Sequence, residues 1–131
     1  MTNVPIKWKS EWSVGNETLD GQHQQIISLI NLYFNEDFSN IQKDITFPQT
    51  LAVMKNHLSF EEQLLEEINY PDYDIHIQKH QVFHKKIDEL HEQFFENDSQ
   101  IPDGVIEFFK VWWVNHITTE DIKFYPYFSE G

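Results

Sequence analysis

Residues 72–101 read DYDIHIQKHQVFHKKIDELHEQFFENDSQI, an interval between Pro71 and Pro102 that contains neither proline nor glycine. A helix interior excludes the first and disfavours the second, so the interval is predicted to be one long helix. Phe83, Ile87, Leu90 and Phe94 recur three and four residues apart and set its apolar face. At 100° per residue His76 lies about 10° from that face, His80 about 50° and His84 about 90°. Two H-x-x-x-H pairs overlap here, and the phase selects His76 and His80 as the inward pair. His84 grazes the rim, and His84 and His91 are read as ordinary, partly exposed side chains.

The other prolines, at positions 5, 48 and 126, divide the rest of the chain in the same way. Intervals 49–70 and 103–125 read as helices, with Gly104 at the start of the latter. A further helix is predicted from about Asp20, placed to cap it, to Phe34, with Ile26, Ile27, Ile30, Tyr33 and Phe34 at helical spacing. Sustained period-2 alternation is missing, so strands are not expected. Short connections near 69–72 and 97–102 imply antiparallel neighbours. The expected fold is all-α, an up-down-up-down antiparallel four-helix bundle over residues 19–131. Residues 1–18 form an N-terminal arm expected to pack on it through Trp8 and Trp12, and the stretch 36–48 is read as a loop.

The chain has 131 residues, 40% of them hydrophobic and 20 aromatic counting Phe, Tyr and Trp, enough for one dense core. Its 22 Asp and Glu against 9 Lys and Arg give a formal charge of -13, which repels phosphate backbones and anionic lipid. No nucleic acid and no membrane are expected as partners. With no run long enough to span a bilayer and no apolar stretch at the start, a cytoplasmic location is expected. The absence of Cys excludes disulfides, thiolate zinc sites and cysteine-held iron–sulfur clusters, leaving His and carboxylate as strong metal ligands.

Seven histidines give that exclusion its point. On the first helix Ile27, Ile30 and Phe34 fall within about 40° of His23. On the second, His57 shares a face with Val53, Leu64 and Ile68, and Glu61 follows four residues later in the same stripe. A lone carboxylate there costs several kcal/mol unless something cationic compensates, whereas Glu62 and Glu66 are read as solvent-facing. On the fourth helix His116 shares a face with Val105, Phe109 and Trp112, and Glu120 and Asp121 follow it. Any one of these features is ordinary: a single inward His is usually a hydrogen-bonded core residue, and H-x-x-x-H arises by accident on a His-rich helix. Five inward imidazoles on four helices are different, because without a metal they would leave ring nitrogens unsatisfied in an apolar interior. A shared metal centre accounts for them together.

From about Trp12 onward the chain resembles the hemerythrins, in particular the single-domain bacterial ones. The resemblance rests on His23 in LDGQH, His57-Leu-Ser-Phe-Glu61, His76-Ile-Gln-Lys-His80 and His116-Ile-Thr-Thr-Glu-Asp121, four motifs in order, supported by Tyr70 and Phe83 at positions the family favours. It implies two non-haem irons (Fe2+/Fe3+) bridged by two carboxylates and one oxo or hydroxo group, with His23, His57, Glu61, His76, His80, His116 and Asp121 as ligands. A straight helix would instead turn Glu120, about 40° from His116, toward the metal and Asp121, about 140° away, out of reach. The family pattern therefore requires a bulge, a frayed turn or a tilted helix end. Phe124 departs from the family, where a Tyr is frequent, so a hydrogen bond from that position is lost or supplied by Tyr125.

Counting donors agrees with the resemblance. Five imidazole nitrogens, two bridging carboxylates and a solvent bridge fill all but one position of two octahedra, and imidazole and carboxylate suit iron. The resemblance implies that the open position falls on the iron held by His23 and His57, with His76, His80 and His116 on the other. Reversible O2 binding for carriage, storage or delivery is the function implied, without catalysis, and an oxygen-using enzyme would be a recipient. Phe60, Phe83, Phe109, Trp112 and Trp113 are expected to line the O2 pocket and keep water out. The alternatives are a di-iron oxidase or peroxidase, or oxygen or redox sensing or iron buffering through a separate partner. Ferritin-like oxidases are poorer in His and leave more exchangeable positions.

Overall fold

The computed structural model describes residues 5–128. Four long helices account for most of them: α1 Glu17–Leu32, α2 Asn40–Glu67, α3 Tyr73–Glu96 and α4 Val105–Thr119. A 3-10 turn at Ser10–Trp12 precedes α1, and a second at Asp121–Phe124 leads into the short α5, Tyr125–Phe128. The described residues contain no strand and no helix long and apolar enough to cross a membrane. The all-α class and four-helix content expected from the sequence are those observed.

The helices fall into two compact units, one holding α1 and α4 with the chain segments flanking them, the other holding α2 and α3. In the second unit the partners run antiparallel. Phe47 near the start of α2 packs on Phe94 near the end of α3 (ring centroids 5.3 Å), Lys55 pairs with Asp88 at 3.1 Å, and the Tyr73 hydroxyl donates to Glu66 at 3.1 Å. The α2 stripe that is buried is Phe47, Leu51, Met54, Leu58, Glu61 and Leu65, a 4-3-4-3-4 spacing, with His57 beside it. The matching stripe on α3 is His76, His80, Phe83, Ile87, Leu90 and Phe94. In both, ionisable side chains occupy positions that the periodicity reserves for apolar ones.

Two sequence expectations are corrected in this unit. Stretch 36–48 is not a loop throughout, because α2 begins at Asn40 and runs through Pro48. Proline removes the bond to the carbonyl four residues back, but Phe47, Leu51 and Met54 continue one buried stripe across it, and their burial offsets the loss. The face of α2 is also rotated from the expected one. Val53, Leu64 and Ile68 are only half-buried, while Leu58 and Leu65 are buried. The α2 end is set by Asn69, whose φ of 54° gives the left-handed turn in which Asn69 N–H bonds Glu66 O at 3.1 Å and Tyr70 N–H bonds Leu65 O at 3.0 Å.

In the first unit α1 starts three residues before the position expected. Asn16, not Asp20, is the cap, its side chain accepting the Leu19 N–H at 3.0 Å. Asp20 instead holds the preceding segment, accepting from the Ser13 hydroxyl at 2.6 Å and the Val14 N–H at 2.9 Å. The Asn31 side chain makes a two-way bond with the backbone of Ile6 (2.7 and 2.8 Å). The segment is thus anchored by polar clamps and by buried Ile6 and Val14, with Trp8 and Trp12 half-buried and edge-to-face at 5.8 Å. Helices α1 and α4 run antiparallel, Lys110 lying over the Phe34 ring at 5.5 Å.

Candidate metal centre

In the α2–α3 unit, Glu61 is fully buried and its two oxygens divide three imidazoles between them. Oε1 is 3.0 Å from His76 Nε2 and 3.1 Å from His80 Nε2, and Oε2 is 3.3 Å from His57 Nε2. His57 sits one turn before Glu61 on α2, and His76 and His80 one turn apart on α3, so two i,i+4 pairs meet head-on. His76 is steadied by the edge of Tyr70 (ring centroids 6.4 Å) and by its contact with His80 at 4.5 Å.

The α1–α4 unit repeats the device with Asp121, also fully buried. Its Oδ2 is 3.2 Å from His23 Nε2 on α1, and its Oδ1 is 3.1 Å from His116 Nε2 on α4. Trp112, one turn before His116, stacks on that imidazole at 4.5 Å with planes 14° apart and sets its ring direction. Asp121 comes inward because α4 ends at Thr119. Glu120 takes φ -105°, ψ -54°, and the chain tightens into the 3-10 turn that begins at Asp121. Glu120 lies toward the surface with Lys123 at 3.5 Å. The straight-helix extrapolation fails at Glu120, and the side chain facing His23 and His116 is that of Asp121.

All five imidazoles present Nε2 to a carboxylate oxygen at 3.0–3.3 Å. Two cis ligands of an octahedral ion with metal–ligand bonds of about 2.1 Å are about 3.0 Å apart, so these separations match the edges of such a polyhedron. One donor atom each from Glu61, His76 and His80 lies within 4.8 Å of the others, close enough for a single ion. The donor chemistry, neutral imidazole and carboxylate with no sulfur, fits a divalent first-row metal.

Glu62 was read from the sequence as solvent-facing, and that reading is corrected. Its side chain is 23% exposed, and Oε2 lies 2.9 Å from His80 Nδ1 and 2.9 Å from His84 Nε2. Partial burial pushes its pKa up, but the hydrogen bonds it accepts from His80 and His84 outweigh this and hold it below the ordinary carboxylate range. The sequence carries only a partial signal: Glu62 follows Glu61 on α2 and His84 follows His80 by one turn on α3, so each inward pair has a polar neighbour on its flank. His91 is exposed. Of the aromatic residues expected to line a pocket, Phe83, Phe109 and Trp113 are buried and Trp112 is half-buried against His116, but Phe60 is 41% exposed on α2. At the family's usual Tyr position Phe124 is buried, and Tyr125 is 48% exposed.

Known proteins resemble this chain over most of its length. The family described as Hemerythrin HHE cation binding domain matches residues 14–128. The chain is 31% identical over 121 residues to a hemerythrin-like protein of Naegleria gruberi, covering 92% of this chain and 91% of that protein. It is 27% identical to a bacteriohemerythrin of Stenotrophomonas maltophilia, covering 88% of this chain and 76% of that protein. To a bacteriohemerythrin of Aquifex aeolicus it is 26% identical, covering 82% and 86% respectively.

Proposed function

Since the chain belongs to the hemerythrin HHE cation binding domain family, we propose that it binds O2 reversibly at a pair of iron ions held by His23, His57, Glu61, His76, His80, His116 and Asp121. The observation that carries the proposal is that each of two fully buried carboxylates spends both oxygens on Nε2 atoms, which is what a bridging ligand does. Bound iron, with an oxo or hydroxo bridge, would supply the electrons that O2 borrows on binding and returns on release.

The chain's own residues do the rest. Glu61 and Asp121 bring negative charge that offsets the cations in a low-dielectric interior. Five neutral imidazoles would fill coordination positions without adding charge, and the donor set would leave one position for O2, by likeness to the family on the side of His23 and His57. Phe83, Phe109 and Trp113 exclude water that would displace the ligand. The side chains that meet Glu61 and Asp121 are imidazoles, donors suited to holding a metal, and this favours binding over catalysis. A cytoplasmic place of action belongs to the same reading, with O2 as the ligand and an oxygen-using enzyme as a recipient.

The direct test is stoichiometry. Anaerobic loading with ferrous iron and removal of excess should leave about two irons per chain by elemental analysis, since the donors fill two six-coordinate shells. Zinc, which prefers four ligands, should not reproduce the site. One ion per chain in tetrahedral coordination would contradict the proposal.

A further inference from the structure

We propose that Glu62, held in place by His84, is a positioning residue that fixes the tautomer and ring direction of His80 for metal binding. This rests on the di-iron reading for its purpose, but its geometry is independent of that reading. Glu61 and Glu62 are adjacent on α2 and so point about 100° apart. The first is fully buried against three Nε2 atoms, while the second lies on the flank, where one oxygen meets two histidines of successive α3 turns. His80 approaches that oxygen from the interior, with its side chain fully buried; His84 approaches it with 21% of its side chain exposed.

The chemistry follows from proton counting. An ionised carboxylate only accepts, so the 2.9 Å contact requires the proton on His80 Nδ1. A neutral imidazole has one N–H, which leaves the Nε2 lone pair directed at Glu61 Oε1, 3.1 Å away. Two acceptors facing each other at that distance repel unless a cation is bound to both. Glu62 therefore selects the tautomer that binds a metal through Nε2 and makes that nitrogen more basic, as carboxylate partners of ligating histidines do. His84 lies outside the four ligand motifs. By donating Nε2–H to the same oxygen it holds a long side chain that would otherwise sample several rotamers.

The test compares Glu62→Ala, Glu62→Gln and His84→Ala with the wild type, titrating Fe(II) anaerobically against a chelator of known affinity. All seven proposed ligands are present in each variant. Glu62→Ala should weaken iron binding about 10- to 100-fold while keeping the helix content seen by circular dichroism. His84→Ala should weaken it less, and Glu62→Gln, which keeps an acceptor oxygen, should recover most of the loss. Affinity within twofold of wild type for Glu62→Ala would overturn the proposal. A second arm needs no iron: long-range proton–nitrogen NMR correlations of the metal-free protein should show His80 protonated on Nδ1 in the wild type and no longer so constrained in Glu62→Ala. A wild type lacking the Nδ1 proton also overturns it. A wild type that shows it but takes up no pair of irons supports the role of Glu62 and overturns the functional reading alone.

Discussion

Glu61→Ala is expected to lose the iron-dependent part of the protein's stability altogether. A metal that binds only the folded state stabilises it by about 4 kcal/mol when free metal is a thousandfold above its dissociation constant. For a domain of this size that corresponds to a rise in melting temperature on the order of 15 °C. The wild type should show such a rise under anaerobic ferrous iron. Glu61 is where it should be cancelled, because this one carboxylate contacts His57, His76 and His80 at once. Its removal takes away charge compensation and both bridging oxygens, more than the roughly 10- to 100-fold affinity loss that follows removal of an outer partner. Differential scanning calorimetry with and without iron is the measurement. An equal iron-induced shift in Glu61→Ala would exclude Glu61 from the centre.

His76→Ala and His84→Ala are expected to differ sharply although both remove an imidazole from α3. His76 is buried with Nε2 on Glu61, whereas His84 reaches only Glu62. At saturating iron, His76→Ala should fall well below two irons per chain and His84→Ala should keep both, its affinity being reduced only through Glu62. His80→Ala would not separate the two overlapping pairs, since it belongs to each. Elemental analysis decides between them, and loss of loading in His84→Ala with retention in His76→Ala would mean that the wrong pair had been assigned to the metal.

How much of this was legible beforehand depended on which physical rule governed each residue. Helical phase placed His23, His76, His80 and His116 inward, and each is buried, because a helix is regular enough for 100° steps to hold over several turns. His57 and Glu61 are buried too, although the α2 residues that set their expected face are only half-buried. The same rule failed where the helix itself ends. Asp121 lies beyond the break at Glu120, and no periodicity signals a 3-10 turn; only the motif resemblance pointed to it. Pro48 misled in the opposite direction, since a local rule about proline was overridden by the buried stripe running through it. The start of α1 was misplaced because Asn16 and Asp20 are both good caps and the deciding contacts, to Ser13 and Val14, are not local to the helix. Glu62 was missed because a half-exposed acid beside a buried one looks like solvated surface. Its partners come from α3, and only pairing between helices reveals them. Phe60 was expected in an O2 pocket with the other aromatic residues, but it sits one residue's step from buried Glu61, enough on a helix to turn a side chain toward solvent.

The central claim, reversible O2 binding, is tested most directly by cycling the ferrous-loaded protein between air and argon while recording its visible absorption. The protein should colour in air through a ligand-to-iron charge-transfer band, bleach under argon and repeat this over several cycles before slow oxidation to a ferric form that no longer responds. Conversion to a ferric product within a single exposure, with stoichiometric hydrogen peroxide or oxidation of an added substrate, would contradict it and place the chain among the di-iron oxidases.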